Sequence, residues 1–199
     1  MTASPYHRKP TSRWFAVTQA LLRDYPLSSS DLVAVVQGAW EGIFESSIGR
    51  GNYRIGREIL PQPQVMGFLL HELIPLELER THAGEWRRGT PAGEPDSVCI
   101  ANLSRSFEIK TSSSSNGIFG NRSYAQEGSA RKKSHAGYYL AVNFEKFETA
   151  TRRPELTLIR FGWLDGGDWI GQKAQTGQQA RLTPEARAYK LIPLWSKGK

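Results

Sequence analysis

A single cysteine, Cys99, in 199 residues rules out an intrachain disulfide framework and any cysteine-based zinc site. It sits in the apolar run Val98-Cys99-Ile100 and reads as a small core residue. No apolar run approaches the ~20 residues of a membrane span. Residues 1–10 lack the apolar stretch of a signal peptide. A cytoplasmic protein without membrane association is therefore expected. Repeats are absent, and low complexity is confined to the four serines at 112–115. Acidic side chains are in deficit, 19 Asp and Glu against 26 Lys and Arg, a formal charge of +7 that suits a polyanionic partner. The length fits one domain with at most a small appendage.

Against this background one arrangement of charge stands out. Glu94-Pro95-Asp96 is followed, after a short gap, by Phe107-Glu108-Ile109-Lys110. An acid after a proline, then Glu-x-Lys, is the signature of the PD-(D/E)xK nucleases. Residues 97–106 read as two short strands joined by a turn at 102–105, with Val98 and Ile100 pointing one way. Such a hairpin brings Asp96 and Glu108 together at one end. Side chains at i and i+2 of a strand share a face, so Glu108 and Lys110 project together. Two carboxylates and one ammonium at one spot form a hard, oxygen-rich site suited to Mg2+. That chemistry can activate water and stabilise charge on a phosphate. The plain alternative is a surface strand with an i, i+2 charge pair. The flanking apolar runs argue against it, because acids placed there need a partner or a metal.

The rest of the chain supplies a frame. Residues 1–12 are polar and expected to be mobile, and 14–24 read as a short helix. An N-cap at Ser30 or Asp31 starts a helix over 32–47, and the glycines at 49 and 51 end it. A further helix covers 64–80, with Val65, Phe68, Leu69, Leu73 and Leu76 as its apolar stripe. Strands are expected at 86–88, 98–103, 107–111, 137–144 and 156–163. A short helix is expected near 122–127 and another over 183–189. This order predicts an α/β fold with a mixed β-sheet flanked by helices, the restriction-endonuclease-like PD-(D/E)xK core. Residues 1–60 form an N-terminal helical element, suited to dimerisation or clasping DNA. Residues 61–199 form the nuclease core, and the whole makes one compact domain.

Nucleases of this class often add an acid from the helix before the metal hairpin. Glu72 stands at that place, with Glu41 and Glu45 as alternatives. His71 reads as a helix-surface residue. Downstream of the catalytic strand, from Arg105 to Arg153, nine Lys and Arg face four acids. The hydroxyls of Ser112, Ser113, Ser114, Ser115 and Ser123 suit phosphate contact, together with Tyr124. Asn116, Asn121, Arg122 and Gln126 suit base edges, while Arg131, Lys132, Lys133 and His135 suit phosphates.

Longer blocks carry a more specific resemblance. Phe107-Glu-Ile-Lys-Thr-Ser-Ser113, Ile118-Phe-Gly-Asn-Arg-Ser-Tyr-Ala-Gln126, Gly137-Tyr-Tyr-Leu-Ala-Val-Asn-Phe144, Arg160-Phe-Gly-Trp-Leu-Asp165, Asp168-Trp-Ile-Gly-Gln172 and Thr176-Gly-Gln-Gln-Ala180 resemble the ScaI-type type II restriction endonucleases over residues 60–192. The resemblance implies a homodimer that cuts both strands of a short palindrome in double-stranded DNA, leaving blunt ends. It implies Mg2+, with Mn2+ as a substitute, held by Asp96, Glu108 and the Ile109 backbone carbonyl. Lys110 then positions or activates the water. A cognate DNA methyltransferase in the same cell is implied as well. Two other readings remain open, a structure-specific or repair nuclease of the same fold and a non-catalytic DNA-binding protein.

Overall fold

The computed structural model describes residues 4–90, 93–125, 135–147, 153–172 and 178–198. Its centre is a six-stranded mixed sheet. The strands are β3 (Trp86–Arg88), β4 (Ser97–Cys99), β5 (Phe107–Ser112), β7 (Gly137–Phe144), β8 (Leu156–Leu164) and β11 (Ile192–Ser196). They lie in the order β11-β8-β7-β5-β4-β3. Only β5 and β7 run parallel. All other neighbours are antiparallel.

Register divides the sheet's side chains cleanly. Phe107, Ile109 and Thr111 of β5 stand beside Tyr138, Leu140 and Val142 of β7. These in turn oppose Trp163, Phe161 and Ile159 of β8. The buried residues of this face join the main core with α2 (Ser29–Glu45) and α3 (Pro63–Thr81). On the opposite face, Glu108, Lys110 and Ser112 stand beside Tyr139, Ala141 and Asn143. That face is covered by a second, three-stranded sheet of β6 (Phe119–Asn121), β10 (Gln179–Leu182) and β9 (Trp169–Gly171), and by α4 (Pro184–Tyr189). The period-2 alternation thus places the Glu-x-Lys pair on the face away from the long helices.

The N-terminal segment is built into the same core. The helix α1 (Trp14–Arg23) lies beside β8 and β11. Tyr6 is buried, and its hydroxyl shares a 2.8 Å hydrogen bond with Thr18, so residues 4–13 are anchored rather than loose. Ser28 caps α2 in a capping box with Asp31, two or three residues ahead of the expected N-cap. A two-residue hairpin, β1 (Ser47–Ile48) with β2 (Tyr53–Arg54), occupies the glycine-rich break.

Several expectations are corrected. The stripe on α3 is buried through Met66, Leu70, Ile74 and Leu78, while Val65, Phe68 and Leu76 are exposed. Leu69 and Leu73 are only partly buried. The helix is apolar over much of its circumference, so two stripes about one residue apart compete and periodicity cannot choose between them. The strand expected over 98–103 ends at Cys99. Ile100 and Leu103 are exposed, because Asn102 Oδ1 accepts a hydrogen bond from Ser104 N–H at 3.0 Å and opens a 3-10 turn. The helix expected near 122–127 is a 3-10 turn at Arg122–Ala125 as far as it is described. The strands β6, β9, β10 and β11 had no counterpart among the expected elements. Among the described residues no helix is long and apolar enough to cross a membrane.

Candidate active site

Asp96 enters the site from the loop between β3 and β4. Glu94, two residues earlier, is gripped by Arg87 through two hydrogen bonds at 2.7 and 2.8 Å and by Thr90 N–H at 2.9 Å. The Arg87 guanidinium, with the Thr90 amide, lowers the Glu94 pKa to about 2. Gly89 N–H donates to Asp96 O at 3.0 Å. A Cβ on Gly89 would stand 1.8 Å from Pro95 O, so this close backbone approach requires glycine. Asp96 Oδ2 then accepts the Ile109 N–H at 2.6 Å, tying the acid to the middle of β5.

The second acid and the lysine follow from β5 itself. Glu108 and Lys110 side chains are 14% and 13% exposed. Lys110 Nζ lies 3.1 Å from Ile109 O and 3.9 Å from Glu108 Oε2. Its ammonium also sits 4.9 Å from the centre of the Tyr124 ring, and that ring stacks on His135 at 4.0 Å. A carboxylate and a backbone carbonyl thus converge on one positive charge. Hard oxygen donors that already hold an ammonium can hold a divalent cation, with Asp96 beside them, so the donor set fits a hard divalent metal ion.

Burial works against the Asp96 charge. His71, the Ile109 amide and the Lys110 ammonium outweigh it and hold the carboxyl below the usual range. His71 Nδ1 is 3.6 Å from Asp96 Oδ2. Its helix comes close because Gly67, one turn earlier, leaves room for Thr111; a Cβ there would lie 2.7 Å from Thr111 Oγ1. His71 is therefore the helix residue at the site that sequence reasoning passed over. Glu72 lines the same cleft but is ion-paired with Arg88. Glu41 pairs with Arg153 away from the cleft, and Glu45 is exposed.

The cleft has a volume of about 1060 Å³. Asp96, His71 and Glu72 line it on one side, and Ser112, Ser113, Ser114 and Phe119 on another. Ser115 and Asn116 are exposed beyond it. The loop carrying these serines is held from beneath. Asn143 Nδ2 donates to Ser114 O at 2.8 Å and to Gly117 O at 3.0 Å. Arg160 donates to Asn143 Oδ1 at 2.8 Å and to Asn116 O at 2.9 Å. Arg160 is 3% exposed, and burial, with Arg187 nearby, lowers its pKa to about 10. These two polar side chains sit in apolar strand runs, and that mismatch was the available signal. Asn121 is exposed on β6, while Arg122 and Ser123 are half-buried in the following turn. Tyr124 packs edge-on against Trp169 as well as over Lys110. Gln126, Arg131, Lys132 and Lys133 lie outside the described residues.

Comparison with known proteins places the chain in a family. A family model described as ScaI restriction endonuclease matches residues 4–195. It takes in the N-terminal segment that the motif resemblance did not reach. The type II restriction enzyme ScaI of Streptomyces caespitosus is 46% identical over 197 residues, covering 98% of this chain and 86% of the relative.

Proposed function

Because this chain belongs to the ScaI restriction endonuclease family and is a type II restriction enzyme, we propose that it hydrolyses phosphodiester bonds of double-stranded DNA at a short palindrome with a PD-(D/E)xK site. The observation that carries the site is the convergence at β5. Asp96 Oδ2 is held on the Ile109 amide, while Ile109 O and Glu108 Oε2 both face the Lys110 ammonium. Asp96, Glu108 and the Ile109 carbonyl would hold Mg2+, with Mn2+ as a substitute. Such an ion supplies positive charge beside the scissile phosphate.

The side chains perform the remaining work. The Ile109 amide and His71 keep Asp96 ionised and oriented. Lys110, seated against the Tyr124 ring, holds the attacking water and offsets charge that develops on the phosphate oxygens. Water adds at phosphorus, one P–O ester bond breaks, and the leaving oxygen takes up a proton. Glu72 supports the helix side of the cleft through Arg88. Ser112, Ser113 and Ser114 offer hydroxyls and amides to the DNA backbone where they line the cleft. Ser115, Asn116, Asn121, Arg122, Ser123, Tyr124 and Gln126 extend this contact along the following segment, with Arg131, Lys132 and Lys133 on phosphates.

One chain carries one set of these groups, whereas a palindrome presents two equivalent strands. A symmetric homodimer supplies a second set related by the same two-fold axis. Blunt ends and a partner DNA methyltransferase follow from the family resemblance. Residues 1–60 are the segment we assign to pairing of subunits or clasping of the duplex. Digestion of plasmid DNA with Mg2+ tests the reading. Discrete bands with one sequence at every end are expected; a smear, or cutting only at mismatches and branches, would point to a structure-specific nuclease.

A further inference from the structure

The small sheet has two unlike faces. Ala180 pairs with Gly120 and Gly171, and Leu182 with Trp169. This inner face is packed onto Tyr124 and Trp169. The outer face alternates with it, as a pleated strand requires. Gln179 stands opposite Asn121, and Arg181 lies between Phe119 and Ile170 in register. All five of these side chains are exposed. None is an acid, and Arg181 has no ion-pair partner among the described residues. Phe119 and Gln179 also line the cleft that holds Asp96, so this face continues directly from it. A hollow of about 240 Å³ borders the same face and contains Arg181 and Arg187. The face and its border are therefore positively charged and amide-bearing, next to the site where a phosphate is cut.

We propose that this outer face reads base edges of the DNA whose backbone occupies the cleft, with Gln179 and Arg181 as readers beside Asn121. The inference rests on the endonuclease reading above. A short twisted strand assembly fits the major groove, where amides pair with adenine and guanidinium with guanine. Gln179 and Arg181 are two residues apart on one face, roughly 7 Å, which spans about two base steps at roughly 3.4 Å each. Phe119 and Ile170 flank Arg181 with apolar surface suited to a thymine methyl. Asn116, by contrast, has its Oδ1 engaged by Arg187 at 3.3 Å and its backbone O by Arg160.

The test uses the full-length protein, a plasmid library with randomised inserts, Mg2+ and sequencing of the cut ends. Wild type should leave one consensus. Gln179→Ala and Arg181→Ala should each relax a different position of that consensus. In competition binding with Ca2+, each should lower the ratio of affinities for the consensus over a scrambled duplex by roughly 5- to 150-fold. Arg181→Lys keeps the charge but lacks the bidentate fork, so it too should relax the site. Gln179→Glu provides a size-matched second variant should an alanine destabilise the sheet. Ends without any consensus from wild type would sink the endonuclease reading and this inference together. A wild-type consensus that all four variants retain, with an unchanged affinity ratio, would overturn this inference alone. So would an equal loss of affinity for consensus and scrambled DNA, the behaviour of a phosphate contact.

Discussion

Asp96 Oδ2 accepts the backbone N–H of Ile109 at 2.6 Å, so the acid of one motif half is anchored on the strand that carries the other. Asp96 is thereby fixed to Ile109, the residue between Glu108 and Lys110, although it lies on a different strand connection. Removing either carboxylate should abolish cleavage with Mg2+ while leaving the fold intact. Asp96→Ala or Glu108→Ala also removes negative charge next to phosphate, so binding without metal should hold or tighten. Cleavage assays alongside gel-shift titrations check both halves. Near wild-type cutting by either variant would move the metal site elsewhere.

Lys110 offers a sharper test, because its ammonium lies against oxygens the metal would share. Lys110→Ala should lower the cleavage rate by roughly 10^2- to 10^4-fold. Lys110→Arg should not restore it, since a planar guanidinium is bulkier and stays protonated. Single-turnover cleavage rates with pre-bound DNA separate this loss from any change in affinity. Full activity in the arginine variant would show that Lys110 does not engage the reacting groups.

On α3 the structure sets two neighbours against each other. His71 faces Asp96, and Glu72 faces Arg88. His71→Ala should therefore lower the cleavage rate more than Glu72→Gln, and should raise the Mg2+ concentration needed for half-maximal rate. Metal titrations of the two variants measure this directly. A larger defect in Glu72→Gln would return the helix role to the acid.

The buried pair Asn143 and Arg160 supports the loop that follows β5. Asn143→Leu removes one of the two acceptors of a buried guanidinium and the donor to two carbonyls, so a loss of about 3–5 kcal/mol is expected. At this chain length that corresponds to a fall in Tm of roughly 10 °C. Arg160→Met leaves fewer unsatisfied groups and should cost less. Thermal denaturation of both variants gives the comparison. Equal stability of Asn143→Leu and wild type would mean that the loop does not depend on this network.

Much of this protein was legible in one dimension. Period-2 alternation along a strand holds whatever its neighbours, so the Glu-x-Lys spacing alone placed Glu108 and Lys110 on one side of β5. The apolar runs at Gly137–Phe144 and Leu156–Leu164 were equally plain, because central strands are buried on both faces. Local capping also placed α2 to within two or three residues. Other features were decided only by packing. An almost evenly apolar α3 has no preferred face until Gly67 lets it settle on Thr111, and that rotation brings His71 rather than Glu72 to Asp96. The strands β6, β9 and β10 are three or four residues long, too short to show a period and stable only when paired across distant sequence. The polar residues Asn143 and Arg160 read as misfits within strands until the register sets them under the 112–117 loop. Local pattern fixes what a residue can do; which groups meet depends on long-range pairing and burial, which no short window of sequence contains.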